Sequence, residues 1–171
     1  MVLGMSLQTF TLVHVLISLA GIASGLVVMY GFLTKNRVEG WTLVFLTTTA
    51  LTSLTGFLFP FKGMTPAIML GVISLPVLAI TIVTRYPLHL AWRKTYVITA
   101  CVALYFNVFV LVVQSFEKVS ALRAIAPTQK QPPFAIAQIA VLVLFVVVTT
   151  FAVKRFRTEP MMLAKSSIKA A

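Results

Sequence analysis

The chain has 171 residues, 60% of them hydrophobic and 10% charged, with a mean hydropathy of +1.03. A soluble domain of this size carries about 25% charged residues, so this chain cannot cover a water-facing surface and reads as an integral membrane protein. The formal charge of +11 does not indicate nucleic acid: the basic residues sit in short clusters between apolar runs, as membrane topology requires, with no base-stacking aromatics interleaved among them.

A hydrocarbon core about 30 Å thick takes roughly 20 apolar residues of helix. Five runs meet this, at 10–33, 41–61, 66–84, 95–116 and 134–153. The expected fold is all-α, with a five-helix transmembrane domain over 1–157 and a flexible basic cytoplasmic tail over 158–171 that meets anionic lipid. The first run is expected to be a retained helix. Residues 1–34 contain no Lys or Arg, and the apolar stretch continues past the small residues GIASG, unlike a signal peptide. At 100° per residue His14, Ser18, Gly21 and Gly25 share one stripe. Gly21 and Gly25 form a GxxxG, which lets backbones approach where lipid offers no hydrophobic drive. His14 is therefore read as a neutral, hydrogen-bonded anchor on a packing seam, with Ser18 as its partner; the competing reading is a pH-sensing or ligand-binding group.

The second run places Thr48, Thr52 and Thr55 near one another on its surface, either as packing or as the lining of a narrow polar pathway. Gly56, Pro60, Gly63 and Pro66 predict a tight turn into the third helix, with Pro66 at its first position. Pro76 predicts a kink in that helix, because it removes one backbone bond. In the fourth run Ala100, Ala103, Asn107 and Gln114 share a face, with Asn107 near mid-membrane. Loop four then carries Phe116, Val119 and Leu122, which read either as the apolar face of a short interfacial helix or, more simply, as part of a plain connector. The following APTQKQPP cannot remain helical.

Direction follows from Lys and Arg. Loop one (Lys35, Arg37), loop three (Arg85, Arg93, Lys94) and the tail (Lys154, Arg155, Arg157, Lys165, Lys169) hold ten of the fourteen basic residues. Lys62, Lys118, Arg123 and Lys130 lie on the other side. The positive-inside rule then puts the N-terminus outside and the C-terminus in the cytoplasm. Trp41, Trp92, Tyr30, Tyr86 and Tyr96 fall at the proposed cytoplasmic boundary, where amphipathic rings settle.

Candidate chemistry is sparse. The chain has no Asp, and Glu39, Glu117 and Glu159 all lie away from mid-membrane, which disfavours a carboxylate proton relay. His14 and His89 stand at opposite ends of the core and cannot pair on one haem; a single-histidine haem contact at His14 stays open, and no other cofactor or metal is expected. His89 reads as a headgroup-facing residue. The lone Cys101 allows no intrachain disulfide, and no GxSxG, HExxH or P-loop occurs.

The strings HVLISLAGIASGLVV, TGFLFPFKGMTPA and YFNVFVLVVQSF, with APTQKQPPF after them, resemble a group of small, uncharacterised multi-pass bacterial inner-membrane proteins. The resemblance implies a bacterial plasma membrane and attaches no activity. The reading carried forward is an accessory or structural membrane subunit without its own catalytic centre, alone in lipid as a homo-oligomer or with a membrane-protein partner. The alternative is a small pore or carrier for a neutral or weakly polar solute, lined by Thr48, Thr52, Asn107 and Gln114. A haem- or quinone-associated redox subunit rests on His14 alone. A pathway requires the four lining residues to face one cavity, whereas a subunit lets them pair off.

Overall fold

The computed structural model describes residues 2–60 and 66–156. The predicted tail over 158–171 and most of the second loop, with Lys62 and Gly63, lie outside the described residues. The described chain is helical throughout its ordered elements: α1 (Leu7–Thr34), α2 (Glu39–Gly56), α3 (Pro66–Arg85), α4 (Arg93–Lys118), the short α5 (Ser120–Ile125) and α6 (Pro132–Arg155).

Local chemistry sets the ends of these helices. Ser6 caps α1, its hydroxyl oxygen accepting from the Thr9 amide at 3.1 Å, one of the orphan donors of a first turn. At the other end Lys35 adopts a left-handed φ of 62° and its amide returns to the Gly31 carbonyl. α3 begins at Pro66 as predicted and continues through Pro76. Pro132 and Pro133 open α6, where their missing amides cost nothing.

Contacts at the helix ends show that the five long helices alternate in direction. His14, early in α1, meets Thr55, late in α2. A Cβ on Gly31, late in α1, would touch Val38, just before α2. Gly71, early in α3, faces Phe57, just after α2, and Arg85 at the end of α3 reaches Glu39 at the start of α2. Arg93 of α4 meets the Val153 carbonyl of α6, while Phe116 and Phe134 stack at the opposite end. One end of the bundle therefore gathers Lys35, Glu39, Arg85, Arg93, Lys154 and Arg155.

α4 is the hub, packing against α1, α3 and α6, while α2 lies against α1 and α3. The core runs from Val28 and Phe32 through Phe45, Val97, Cys101 and Leu104 to Phe145 and Ala152. The perimeter is also apolar: Leu12, Leu16, Leu26, Leu43, Val72, Ile136, Leu144 and Phe151 are all exposed. A surface this apolar is at equilibrium in lipid rather than in water.

Among the described residues four helices, α1, α3 from Ile68 onward, α4 and α6, are long and apolar enough to cross a membrane. α2 does not reach the same mean hydropathy, because its 18 residues start with Glu39, Gly40 and Trp41 and are crowded by Thr42, Thr47, Thr48, Thr49, Thr52, Ser53 and Thr55. Loop four contains a short helix, so the plain connector is not what forms there. Its composition also differs from the helix expected: Phe116 belongs to α4 and is buried, and α5 carries only Leu122 from the predicted apolar face.

Candidate functional site

The polar groups of the bundle form a seam between α1, α2, α3 and α4. At its first level Gly21 lies against the Thr48 and Thr49 hydroxyls, 3.2 and 3.6 Å from where its Cβ would stand, and Gly25 lies against Phe45 and Leu104. The GxxxG thus brings α1 onto both α2 and α4. Its second member is the tighter contact, since a Cβ there would lie 2.6 Å from Leu104 Cδ1.

Near the first turns of α1, His14 Nδ1 lies 2.8 Å from Thr55 Oγ1. Thr55 sends its single hydroxyl proton to the Leu51 carbonyl at 2.6 Å. The hydroxyl oxygen must then accept, and His14 carries its proton on Nδ1. Phe59 packs edge-on against the imidazole with ring centroids 5.1 Å apart, and Phe10 stacks on Phe59. Ser18 does not satisfy the imidazole, as the spacing suggested: its hydroxyl donates to the His14 backbone carbonyl at 2.8 Å. A serine four residues on has its own helix's carbonyl within reach before any side chain.

Deeper in the bundle Asn107 Nδ2 donates to Thr49 Oγ1 at 3.1 Å, joining α4 to α2. Ser53 and Ser74 join α2 to α3 at 2.9 Å. Ser74 already donates to Gly71 at 3.0 Å, so Ser53 is the donor of that pair. Gln138 of α6 donates to the Phe109 carbonyl of α4 at 3.2 Å. Thr48 returns its proton to Val44 at 2.7 Å. The Thr52 hydroxyl is buried without a hydrogen-bond partner among the described residues. Gln114 stands apart, beside Glu117 at 3.4 Å, and Gln129 of the loop holds the other carboxylate oxygen at 2.7 Å. Thus Asn107 and Gln114, which share a face of α4, end in different environments.

The charged end holds a second constellation. Arg85, in the last turn of α3, is buried, yet it pairs with the exposed carboxylate of Glu39. Its guanidinium also sits 5.2 Å over the Tyr96 ring, a cation–π geometry. Tyr96 is 1% exposed and packs edge-on against Phe32, with Phe156 beside them. This corrects its expected place in the interfacial belt: Trp41, Trp92, Tyr30 and Tyr86 are exposed there, whereas Tyr96 is core. His89 is exposed with a positive φ, in the turn whose Leu90 is buried.

Sequence reasoning missed Arg85–Glu39, Ser53–Ser74 and Gln138. Opposite charges flanking spans that end on the same side were the one available signal for the ion pair. The serines left none, because a small hydroxyl in a helix reads like alanine.

Two open clefts lie at the charged end, one of about 670 Å³ lined by Leu33, Thr34, Lys35, Lys154 and Arg155, the other of about 300 Å³ over residues 91–95. Neither is lined by His14, Ser18, Thr48, Thr52, Asn107 or Gln114. Among the described residues no group of three His, Cys, Asp or Glu is placed to hold a metal ion. Comparison with protein-family models, curated proteins and solved structures finds no match.

Proposed function

We propose that this chain is a five-span accessory or structural membrane subunit without its own catalytic centre, in a bacterial plasma membrane, with its N-terminus outside and its C-terminus in the cytoplasm. The observation that carries the proposal is that most of the polar groups inside the bundle are drawn into separate helix-to-helix pairs, His14 with Thr55, Asn107 with Thr49 and Ser53 with Ser74, with the Thr52 hydroxyl and Gln138 Oε1 left over. Such pairs are the usual adhesive of helix association in lipid. A solute pathway needs the same groups turned toward one space.

The fifth span is α2. It lies antiparallel to α1 from Val38 opposite Gly31 to Thr55 opposite His14, which supports its sharing the depth of that stretch of α1. Its hydroxyls are largely masked: Thr42, Thr48 and Thr55 donate to carbonyls of their own or the preceding turn. The gathering of Lys35, Arg85, Arg93, Lys94, Lys154 and Arg155 at one end supports the orientation, since cytoplasmic ends carry the excess of Lys and Arg.

Native mass spectrometry of the protein extracted gently from its own membrane tests the reading. A stoichiometric protein partner is expected. The pore reading has the unpartnered Thr52 hydroxyl in its favour. A cofactor-free homo-oligomer whose solute flux falls in Asn107→Ala would replace the subunit reading with it. An added haem mass lost in His14→Phe would instead make His14 a ligand.

A further inference from the structure

We infer that the cleft between the ends of α1 and α6 is a binding site for the phosphate of an anionic phospholipid headgroup, held by Lys35, Lys154 and Arg155. The inference rests on the chain lying in a bilayer, and not on its being an accessory subunit.

Three observations carry it. The first is convergence: Lys35 and the Lys154–Arg155 pair are far apart in sequence, yet they line one cleft of about 670 Å³. The second is that, among the described residues, these cations have no ion-pair partner. Basic side chains at helix C-termini often cap the last carbonyls. Here the Gly31 carbonyl already accepts from the Lys35 and Asn36 amides, the Ala152 carbonyl from the Phe156 amide, and the Val153 carbonyl from Arg93. Among the described residues no carboxylate pairs with Lys35, Lys154 or Arg155, and Glu39 is taken by Arg85. The third is conformational. Lys35 holds φ 62° at the position just past the helix, where glycine is the favoured residue. A lysine there bears backbone strain, and among the described residues no carboxylate offsets it.

The setting fits a lipid better than a free ion. The cleft lies at the end of two helices whose flanks are exposed and apolar, with Tyr30 and Leu26 on α1 and Val147 and Phe151 on α6. A headgroup in the cleft would let its acyl chains lie along those flanks. Basic pockets between transmembrane helices at a cytoplasmic face take anionic headgroups on this principle. The adjoining cleft at Arg93 and Lys94 extends the positive field along the same end.

The test uses the full chain in a mild detergent with matched-chain phosphatidylglycerol or phosphatidylcholine added, and lipid retention read by native mass spectrometry. Phosphatidylglycerol is expected to be retained and phosphatidylcholine not. Each basic residue near an anionic surface is worth about 1 kcal/mol, about fivefold in affinity, so Lys35→Gly should weaken retention about fivefold. Lys35→Gly suits the left-handed backbone, so its fold should persist. The combination with Lys154→Gln and Arg155→Gln should weaken retention at least tenfold further. Lys118→Gln with Lys130→Gln, which removes charge at the other end, should change nothing. Equal retention of the two lipids, or equal loss in the Lys118/Lys130 variant, would overturn the site. Displacement of phosphatidylglycerol by millimolar inorganic phosphate would show that the cleft takes the free ion, and would overturn the lipid assignment.

Discussion

Gly25 and Asn107 show how little side chain decides this packing. A Cβ on Gly25 would stand 2.6 Å from Leu104 and 2.8 Å from Phe45, both of them buried. One of these buried side chains would have to shift, so Gly25→Ala is expected to cost about 1–3 kcal/mol through overpacking, read as a loss of resistance to unfolding in bicelles. At Gly21 the nearest neighbour is the Thr48 hydroxyl at 3.2 Å, so the same change there should cost less. Asn107→Ala should be mild, about 0.6 kcal/mol and at most about 1.7 kcal/mol, the range of interhelical hydrogen bonds in folded bundles. A larger loss, or lost transport without lost stability, would mean that the Asn107–Thr49 bond is more than adhesive. Lys35→Gly is expected to stabilise the protein by about 1 kcal/mol, because glycine carries no Cβ penalty at positive φ.

Among the helices, the instructive pair is α2 with α3. Arg85 is buried and Glu39 is not, so the pair is asymmetric. Glu39 stripped of its partner can turn to water, but Arg85 cannot. Glu39→Leu should therefore destabilise the protein by about 1–3 kcal/mol, below the 3–5 kcal/mol of a fully buried pair. Adding Arg85→Met should recover part of that loss, because it removes the stranded cation; thermal unfolding of the single and double variants checks this. The same elements mark the boundary of what sequence can give. Run lengths and charge clusters located the ends of the long helices to within about three residues, except that α2 stops at Gly56 and not at the expected 61, and the stripe of His14, Gly21 and Gly25 identified the face of α1 that packs. Those are properties of one helix at a time. Which helix meets that face, and at what rotation, depends on all the others. That is why spacing alone pairs Ser18 with the imidazole, groups Gln114 with Asn107, and places Tyr96 in the belt. Arg85 was legible only as a positive charge at a span's end; its burial follows from Tyr96 and Glu39 arriving from two other helices.

For the molecule as a whole, the alternation of the helices makes a prediction about sidedness. With Cys101 replaced by Ala, Lys35→Cys and Lys154→Cys should react with a membrane-impermeant maleimide from one and the same side, the cytoplasmic one in the proposed orientation, and Gln129→Cys only from the other. Labelling of Lys35→Cys and Lys154→Cys from opposite sides would contradict the shared cleft as well as the topology. Cys101 itself is 1% exposed, in the first third of α4, so the unaltered protein should resist the reagent until it unfolds.

The polarity of α2 also bears on how the protein is made. Its threonines and serines leave it short of the hydropathy that α1, α3, α4 and α6 possess, and only the short turn over 35–38 separates it from α1. A nascent α2 emerging alone would have weak reason to leave the aqueous channel of the insertion machinery. Alongside α1 it finds Gly21, Gly25 and His14 already in place, and its side chains meet a partner instead of acyl chains. On the five-span reading proposed above, α1 is expected to act as a chaperone in cis for α2, and the pair to enter the membrane as a hairpin. Order of synthesis, on this account, is part of the information that builds the bundle: the same helices presented with α2 ahead of α1 would assemble less efficiently, with no contact in the finished structure changed.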